Sequence, residues 1–246
     1  MSGILMTYSG GGFPTLLLDI SNKASPDIPS LLTAAGWKGA SQPVKLVNSG
    51  NVNTLVIPSS LAGTEIYLLN QAAGLIGGVM NGGTALRVQV AIKVENLGKI
   101  YGGGGKGGDG GYAWARYSPP TYVDDYASGD AGLGGNGQGF ANTSSLTINA
   151  AVGGGTGGAD SCEGHLAAGE FPGDPFPITY VTGGNGGNGG NWGAAGGSGT
   201  GGGYSGGSPS AAGTGNPGGG NLAGYYIDGN ANVTWVATGD RLGRSV

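Results

Sequence analysis

A single cysteine, Cys162, and a single histidine, His165, are present among the 246 residues. One thiol cannot build a disulfide framework, and one imidazole removes the raw material of most histidine metal sites and catalytic triads. Charge is scarce as well: 10 Lys and Arg against 14 Asp and Glu leave a net of −4. Phosphate binding draws on clustered basic side chains, so nucleic acid is excluded as a partner. No apolar run reaches the roughly 18 residues that a spanning helix needs, and no membrane insertion is expected. The first residues also lack the basic stretch and cleavage pattern of a signal peptide, which predicts a soluble, non-secretory chain. No enzyme, cofactor or metal is expected from such an inventory.

What is abundant is glycine, with 60 residues, joined by 12 prolines. An aperiodic chain of that composition would be disordered. The glycines are unevenly spread: residues 1–101 hold 14, residues 102–220 hold 42 and residues 221–246 hold 4. The chain thus divides into a β-rich part (1–101), a glycine-rich part (102–220) and a C-terminal β segment (221–246) expected to pack at the base. The first part carries alternating stretches such as VKLVNSG, NTLVIPSSL, EIYLL and LRVQVAIKV. It also carries one helix signal over 25–36, with early prolines, Gly36 as its stop and Trp37 packing beneath. Residues 1–13 are expected to dock on this domain or on a partner.

Within the middle part glycine keeps a period of three. Gly184, Gly187, Gly190, Gly193, Gly196, Gly199 and Gly202 form one series, and Gly102, Gly105, Gly108 and Gly111 form another. Three is the period of the left-handed polyproline II conformation, not of an α-helix or a strand. Collagen shares it, but the triplet run contains no proline and is short. The remaining reading is a bundle of polyglycine II helices. Such helices make no internal hydrogen bonds, so their N–H and C=O groups must find partners on neighbours, and only glycine lets the backbones come close enough. Ordering a residue costs about 1–2 kcal/mol and a hydrogen bond returns roughly 0.5–1.5 kcal/mol net, so one arm alone would melt while several bonded side by side can hold. Six arms are predicted, over 102–111, 129–139, about 147–158, 183–191, 196–203 and 213–220, with the long triplet run folding back near Trp192, Ala194 and Ala195.

If the arms run alternately up and down, the connections 112–128, 159–182 and 204–212 share the end remote from the N-terminal domain. These segments contain nine of the 19 aromatic residues: Tyr112, Trp114, Tyr117, Tyr122, Tyr126, Phe171, Phe176, Tyr180 and Tyr204. Tyrosine and tryptophan give large amphipathic contact area at low entropic cost, so a binding surface is expected there. The competing reading is that they cover the bundle ends. No strand or helix pattern is evident in the two longer connections, and loops of that length are usually functional. Their charges are Asp124, Asp125, Asp160, Glu163, Glu170 and Asp174 against Arg116, which suits a basic protein loop or a stacked sugar better than a phosphate.

Two catalytic readings are set aside. GGGGKGG lacks both the leading glycine and the trailing Ser or Thr of a P-loop, having Ile100 and Gly107 at those places. The run Asp160 to His165 gathers a thiol, acids and an imidazole, yet groups that react together normally converge from separated segments.

The arms GGGGKGGDGG, GGGTGG and GGNGGNGGN, separated by aromatic loops and preceded by a small β-rich domain, resemble the distal adhesins of bacteriophage long tail fibres, of the T-even type with a polyglycine II core. LLLDIS, LLTAAGW, KVENLGKIYGGGGKGG and NVTWVATGDRLGRSV are similar to glycine-rich tail proteins of other tailed phages. The resemblance implies a mostly irregular and β fold: a small β-rich N-terminal attachment domain with one short helix, a polyglycine II bundle with long distal loops, and a C-terminal β segment. It further implies a virion protein at the tail fibre or tail tip, mounted on a fibre or tip protein through its N-terminal part, as a homotrimer or as a single copy on a trimeric fibre. The nine aromatic residues would then meet a host surface protein or glycan. Two alternatives stay open: a decoration or fibre-capping protein that binds only virion subunits, and an ice-binding polyglycine bundle like that of springtail antifreeze proteins.

Overall fold

Short alternating runs recur through the first hundred residues, and each recurrence stacks in parallel on the one before. The computed structural model describes residues 14–117, 122–123, 125–163, 165–166 and 177–246, giving the backbone alone at 122–123 and 165–166. One face is built from Leu16–Asp19, Val44–Asn48, Ile66–Asn70, Ile92–Asn96 and Val233–Ala237. A second is built from Lys23–Ala24, Asn51–Asn53, Leu75–Gly77, Lys99–Tyr101 and Asp240–Leu242. The third stacks Leu55–Ile57, Leu86–Val88, Tyr225–Asp228 and Arg244–Ser245. The chain therefore winds as a parallel β-solenoid.

Its core consists of columns of aliphatic side chains, because a strand sends alternate residues inward and parallel stacking puts like above like. Val44 lies over Leu16 and Ile66 over Val44, while Val52, Ile76 and Ile100 form a second column, all buried. At one corner the column is polar. Asn48 Nδ2 donates to Asn70 Oδ1 (2.8 Å), Asn70 Nδ2 to Asn96 Oδ1 (2.7 Å), and Asn96 Nδ2 to the Thr238 carbonyl (2.8 Å). Each buried amide thus has its partner in the next rung, which is the condition for burying it at all. In the first rung a helix, Ile28–Ala34, makes the return in place of a third strand. The Asp27 carboxylate caps it, accepting from the Ser30 N–H at 3.5 Å and from the Ser30 hydroxyl at 2.5 Å, and Gly36 leaves it at φ +80°. At the other end Arg241 stands where Ile100 has an isoleucine neighbour below. Its guanidinium lies 4.8 Å from the Trp235 ring and closes the core.

The chain leaves the solenoid after Tyr101, in the middle of the fourth rung, and returns at Tyr225 to supply that rung's third side. Residues 221–246, set apart by composition, are thus continuous with the first part in three shared sheets. Between exit and return run six glycine-rich arms, over about 102–111, 130–138, 152–158, 183–191, 194–202 and 215–221, numbered one to six here.

The arms bond laterally in steps of three. Gly104, Gly107 and Gly110 donate to the carbonyls of Gln138, Gly135 and Gly132 on arm two, and Gly105, Gly108 and Gly111 to Ala194, Gly197 and Thr200 on arm five. Arm one in turn accepts from Gly184, Gly187 and Gly190 of arm four and from Gly218 and Asn221 of arm six, and Tyr112 just beyond it accepts from Gly215. The remaining bonds join arm three to arms two and four, arm two to arm four, and arm five to arms four and six. That network has one planar solution: two rows of three, arms three, four and five over arms two, one and six. Arms one and four are central, and most of their glycines are buried. Outward N–H groups with no neighbouring arm take side-chain oxygens instead. Gly134 donates to Asp109 Oδ1 (2.8 Å), Gly154 to Asn188 Oδ1 (3.1 Å) and Gly157 to Asn185 Oδ1 (3.0 Å).

The long triplet run does fold back, at Trp192 and Gly193, the latter with φ +68°. Several expected arm ends need correction, since they belong to strands. Ile148–Asn149 pairs with Gly139–Phe140, and Asp125–Gly129, Gly203–Gly206 and Ala211–Thr214 join distal sheets. Residues 1–13, for which docking was expected, lie outside the described residues.

At the seam with the solenoid, Phe140 is fully buried against Gly77, and the Trp192 ring meets it edge-on at 6.0 Å. Asn53 Nδ2 donates to the carbonyls of Asn142 (2.6 Å) and Ser145 (2.8 Å), tying the short connection between arms two and three to the solenoid wall. The connections after arms two and four thus face the solenoid.

Candidate functional site

The connections after arms one, three and five gather at the far end, and they are not loops throughout. Ala113–Tyr117 pairs antiparallel with Asp125–Gly129 on one side and Ala211–Thr214 on the other. Ala159–Glu163, Ile178–Thr182 and Gly203–Gly206 form a second antiparallel sheet. The expectation that these segments lack strand pattern is corrected. The cause is legible in AWARY, where alanine, too small to read as core, alternates with large outward residues.

The two sheets face each other across a small core of Ala113, Ala115, Tyr117, Ala127, Cys162 and Val181. Tyr117 is 3% exposed and shares a hydrogen bond with the Thr179 hydroxyl at 2.9 Å, so it holds the sheets together and offers nothing to a ligand. Carboxylates tie the edges. Asp160 Oδ2 accepts from the Ser128 N–H (3.2 Å) and Asp125 Oδ2 from the Glu163 N–H (2.8 Å). Burial, with the nearby Asp125 carboxylate, pushes the Cys162 thiol above its ordinary range and keeps it protonated. Among the described residues no three His, Cys, Asp or Glu side chains cluster as metal ligands.

The other aromatic residues separate by strand parity. Trp114 and Arg116 point away from the core, opposite Ser128 and Tyr126, with Tyr112 just before them. Tyr112 and Tyr126 are 56% and 58% exposed, and the rings of Trp114 and Tyr126 lie within 22° of parallel, 6.4 Å apart. Tyr180, 55% exposed, points outward from the opposite sheet, and Tyr204, 49% exposed, stands at its edge strand. The single aromatic surface expected from the sequence is therefore two surfaces and a core residue. Phe171 and Phe176 lie outside the described residues, as does the side chain of Tyr122. Sequence reasoning missed Gly213 and Gly215. Both lie beneath rings: a Cβ on Gly213 would come within 2.8 Å of Trp114 Nε1, and one on Gly215 would overlap the Tyr112 ring.

The model of the phage tail fibre adhesin Gp38 family matches residues 15–246, nearly the whole chain. The chain belongs to that family. It is thus a tail-fibre adhesin, placed on the virion and a binding protein by family. A solved structure, the gp37-gp38 adhesin tip complex of the bacteriophage S16 long tail fibre, is similar at 18% identity and a TM-score of 0.47, covering 94% of this chain and 82% of that one. No curated protein matches the adhesin. The mostly irregular and β architecture with one short helix agrees with membership. Within the adhesin, the distal sheets sit at the end of the bundle opposite the solenoid and carry the outward aromatic residues there.

Proposed function

We propose that the adhesin recognises its host through the two outward faces of the distal sheets, using Tyr112, Trp114 and Tyr126 on one and Tyr180 and Tyr204 on the other, with the solenoid mounted on a tail-fibre or tail-tip protein. The carrying observation is spatial. Every long excursion of the bundle ends at the pole remote from the solenoid, and large exposed rings on rigid strands stand there. Rings fixed by paired strands lose little entropy on binding, the usual property of interface anchors. Tyr122, Phe171 and Phe176 belong to the same proposal by their place in the chain.

The test uses outward substitutions, because removing the whole connections would take Tyr117 out of the core. Phage carrying Trp114→Ala, Tyr126→Ala, Tyr180→Ala and Tyr204→Ala together should adsorb to host cells far more slowly while retaining the adhesin on the particle. One anchor is worth about 2 kcal/mol, near thirtyfold in affinity. Unchanged adsorption with the adhesin retained would overturn the reading. Loss of the adhesin from particles would favour the decoration or capping role.

A further inference from the structure

Resting on that reading, we propose that the Tyr112, Trp114 and Tyr126 face binds the ring of a neutral pyranose sugar from a surface glycan. The strand pairing places these three rings, with Arg116 and Ser128, on one outward side of a three-stranded sheet. Trp114 opposes Gly213 in the register, and Gly215 donates its N–H to the Tyr112 carbonyl at 2.8 Å. With no Cβ beneath them, both rings settle on bare backbone. The bare backbone thereby backs both rings, with Tyr112 exposed and Trp114 half-buried. Trp114 and Tyr126, only 22° from parallel, continue the same surface.

The near-parallel Trp114 and Tyr126 rings, with exposed Tyr112 beside them in one concavity, select among ligands. A quaternary ammonium or methylated lysine needs several rings turned toward one another as a cage, and a near-parallel pair on an open surface does not form one. An apolar side chain as anchor needs a pocket that desolvates it, and this surface is an open, shallow concavity lined by Tyr112, Trp114, Arg116 and Tyr126. A pyranose offers a flat face of weakly positive C–H groups to the negative face of the ring and a rim of hydroxyls to polar neighbours. The rim finds partners here. The Tyr112 and Tyr126 hydroxyls and Trp114 Nε1 make no hydrogen bond among the described residues, and the Ser128 side chain is exposed beside them. At the edge, each oxygen of the Asp160 carboxylate accepts one backbone N–H, from Ser128 and Ser161, which leaves lone pairs for sugar hydroxyls. Among the described residues the Arg116 guanidinium lines the concavity, and the Asp125 and Asp160 carboxylates border it by accepting from the Tyr126, Ser128 and Ser161 N–H groups, so charge of both signs is present and a ligand without net charge is favoured.

The test uses the full chain and four methyl hexopyranosides (glucoside, galactoside, mannoside and N-acetylglucosaminide), plus oligosaccharide released from the surface glycan of an adsorbing strain. Binding is read by saturation-transfer NMR, and phage adsorption is measured in parallel. At least one sugar should receive transfer at its ring C–H protons. Trp114→Ala should weaken it at least tenfold, Gly213→Ala, which tilts the indole off its seat, should weaken it to a lesser degree, and Tyr180→Ala should leave it unchanged. Absence of binding by every sugar, or binding indifferent to Trp114→Ala and Gly213→Ala, overturns the proposal. The two readings separate cleanly. Adsorption lost in Trp114→Ala phage without any sugar binding keeps host recognition and rejects the glycan. Sugar binding through Trp114 with normal adsorption of the quadruple variant keeps the glycan site and rejects its role in adsorption.

Discussion

The solenoid and the glycine bundle solve the same problem with opposite materials. In the solenoid, side chains such as Leu46, Leu68 and Ile76 fill the interior and the strands bond to the rungs above and below. In the bundle the interior is backbone, and each central arm bonds to four others. The first is stabilised by apolar burial, the second by hydrogen bonds and close contacts that exist because nothing projects from the glycines. A solenoid should therefore fail when atoms are removed, and a bundle when atoms are added.

The sharpest way to break that contrast is to add carbon to the bundle. A Cβ at Gly187 would overlap the Gly197 carbonyl oxygen, whereas one at Gly219 meets nothing within 4 Å. Gly187→Val should cost about 3 kcal/mol or more and Gly219→Val much less, compared by thermal unfolding midpoints. Equal shifts would mean that lateral approach of the arms does not hold the bundle. Removing atoms from the solenoid comes next. Leu68→Ala, at a fully buried column position, should cost about 2–5 kcal/mol in denaturant titration. A smaller effect sharpens the role of the bundle's few side chains. Asn188→Ser withdraws the oxygen that serves the Gly154 N–H, and at this exposed place about 0.5–1.5 kcal/mol is expected, readable as faster amide exchange at Gly154.

The smallest effect concerns the seam. Tyr101 donates its hydroxyl proton to the Asp240 carboxylate, and burial together with that bond pushes it up to about 12 from an ordinary 10.0. A raised pKa means that the folded state holds the proton more tightly. The contribution is therefore complete below pH 10 and lost as pH rises through about 12. Tyr101→Phe should lower the unfolding midpoint slightly at neutral pH, where the bond to Asp240 is lost, and flatten its fall across that window. An unaltered alkaline profile would assign the fall to other groups.

Much of the bundle was legible because glycine spacing reports a helix period directly, and the parity of six arms then sorted the connections between two poles. The solenoid was less so. Its strands were readable, but their parallel stacking rests on a repeat of unequal length, marked by Asn48 and Gly50, Asn70 and Gly74, and Asn96 and Gly98. That recurrence of asparagine before glycine is the corner of each rung, and it was the available signal. The aromatic site was readable as composition only. Which ring faces outward depends on strand parity around Ala113, Ala115 and Ala127, and residues this small carry little hydrophobic signal. Tyr117 was misplaced for that reason.

Because Tyr225–Asp228 closes a turn that Lys99–Tyr101 opened, the base and the tip cannot be completed independently. A chain growing from its N-terminus must emit every arm and every distal strand before the fourth turn can shut. Truncation anywhere in the tip would leave the fourth turn without its closing strand and remove the fifth altogether, so a finished solenoid certifies a finished distal end.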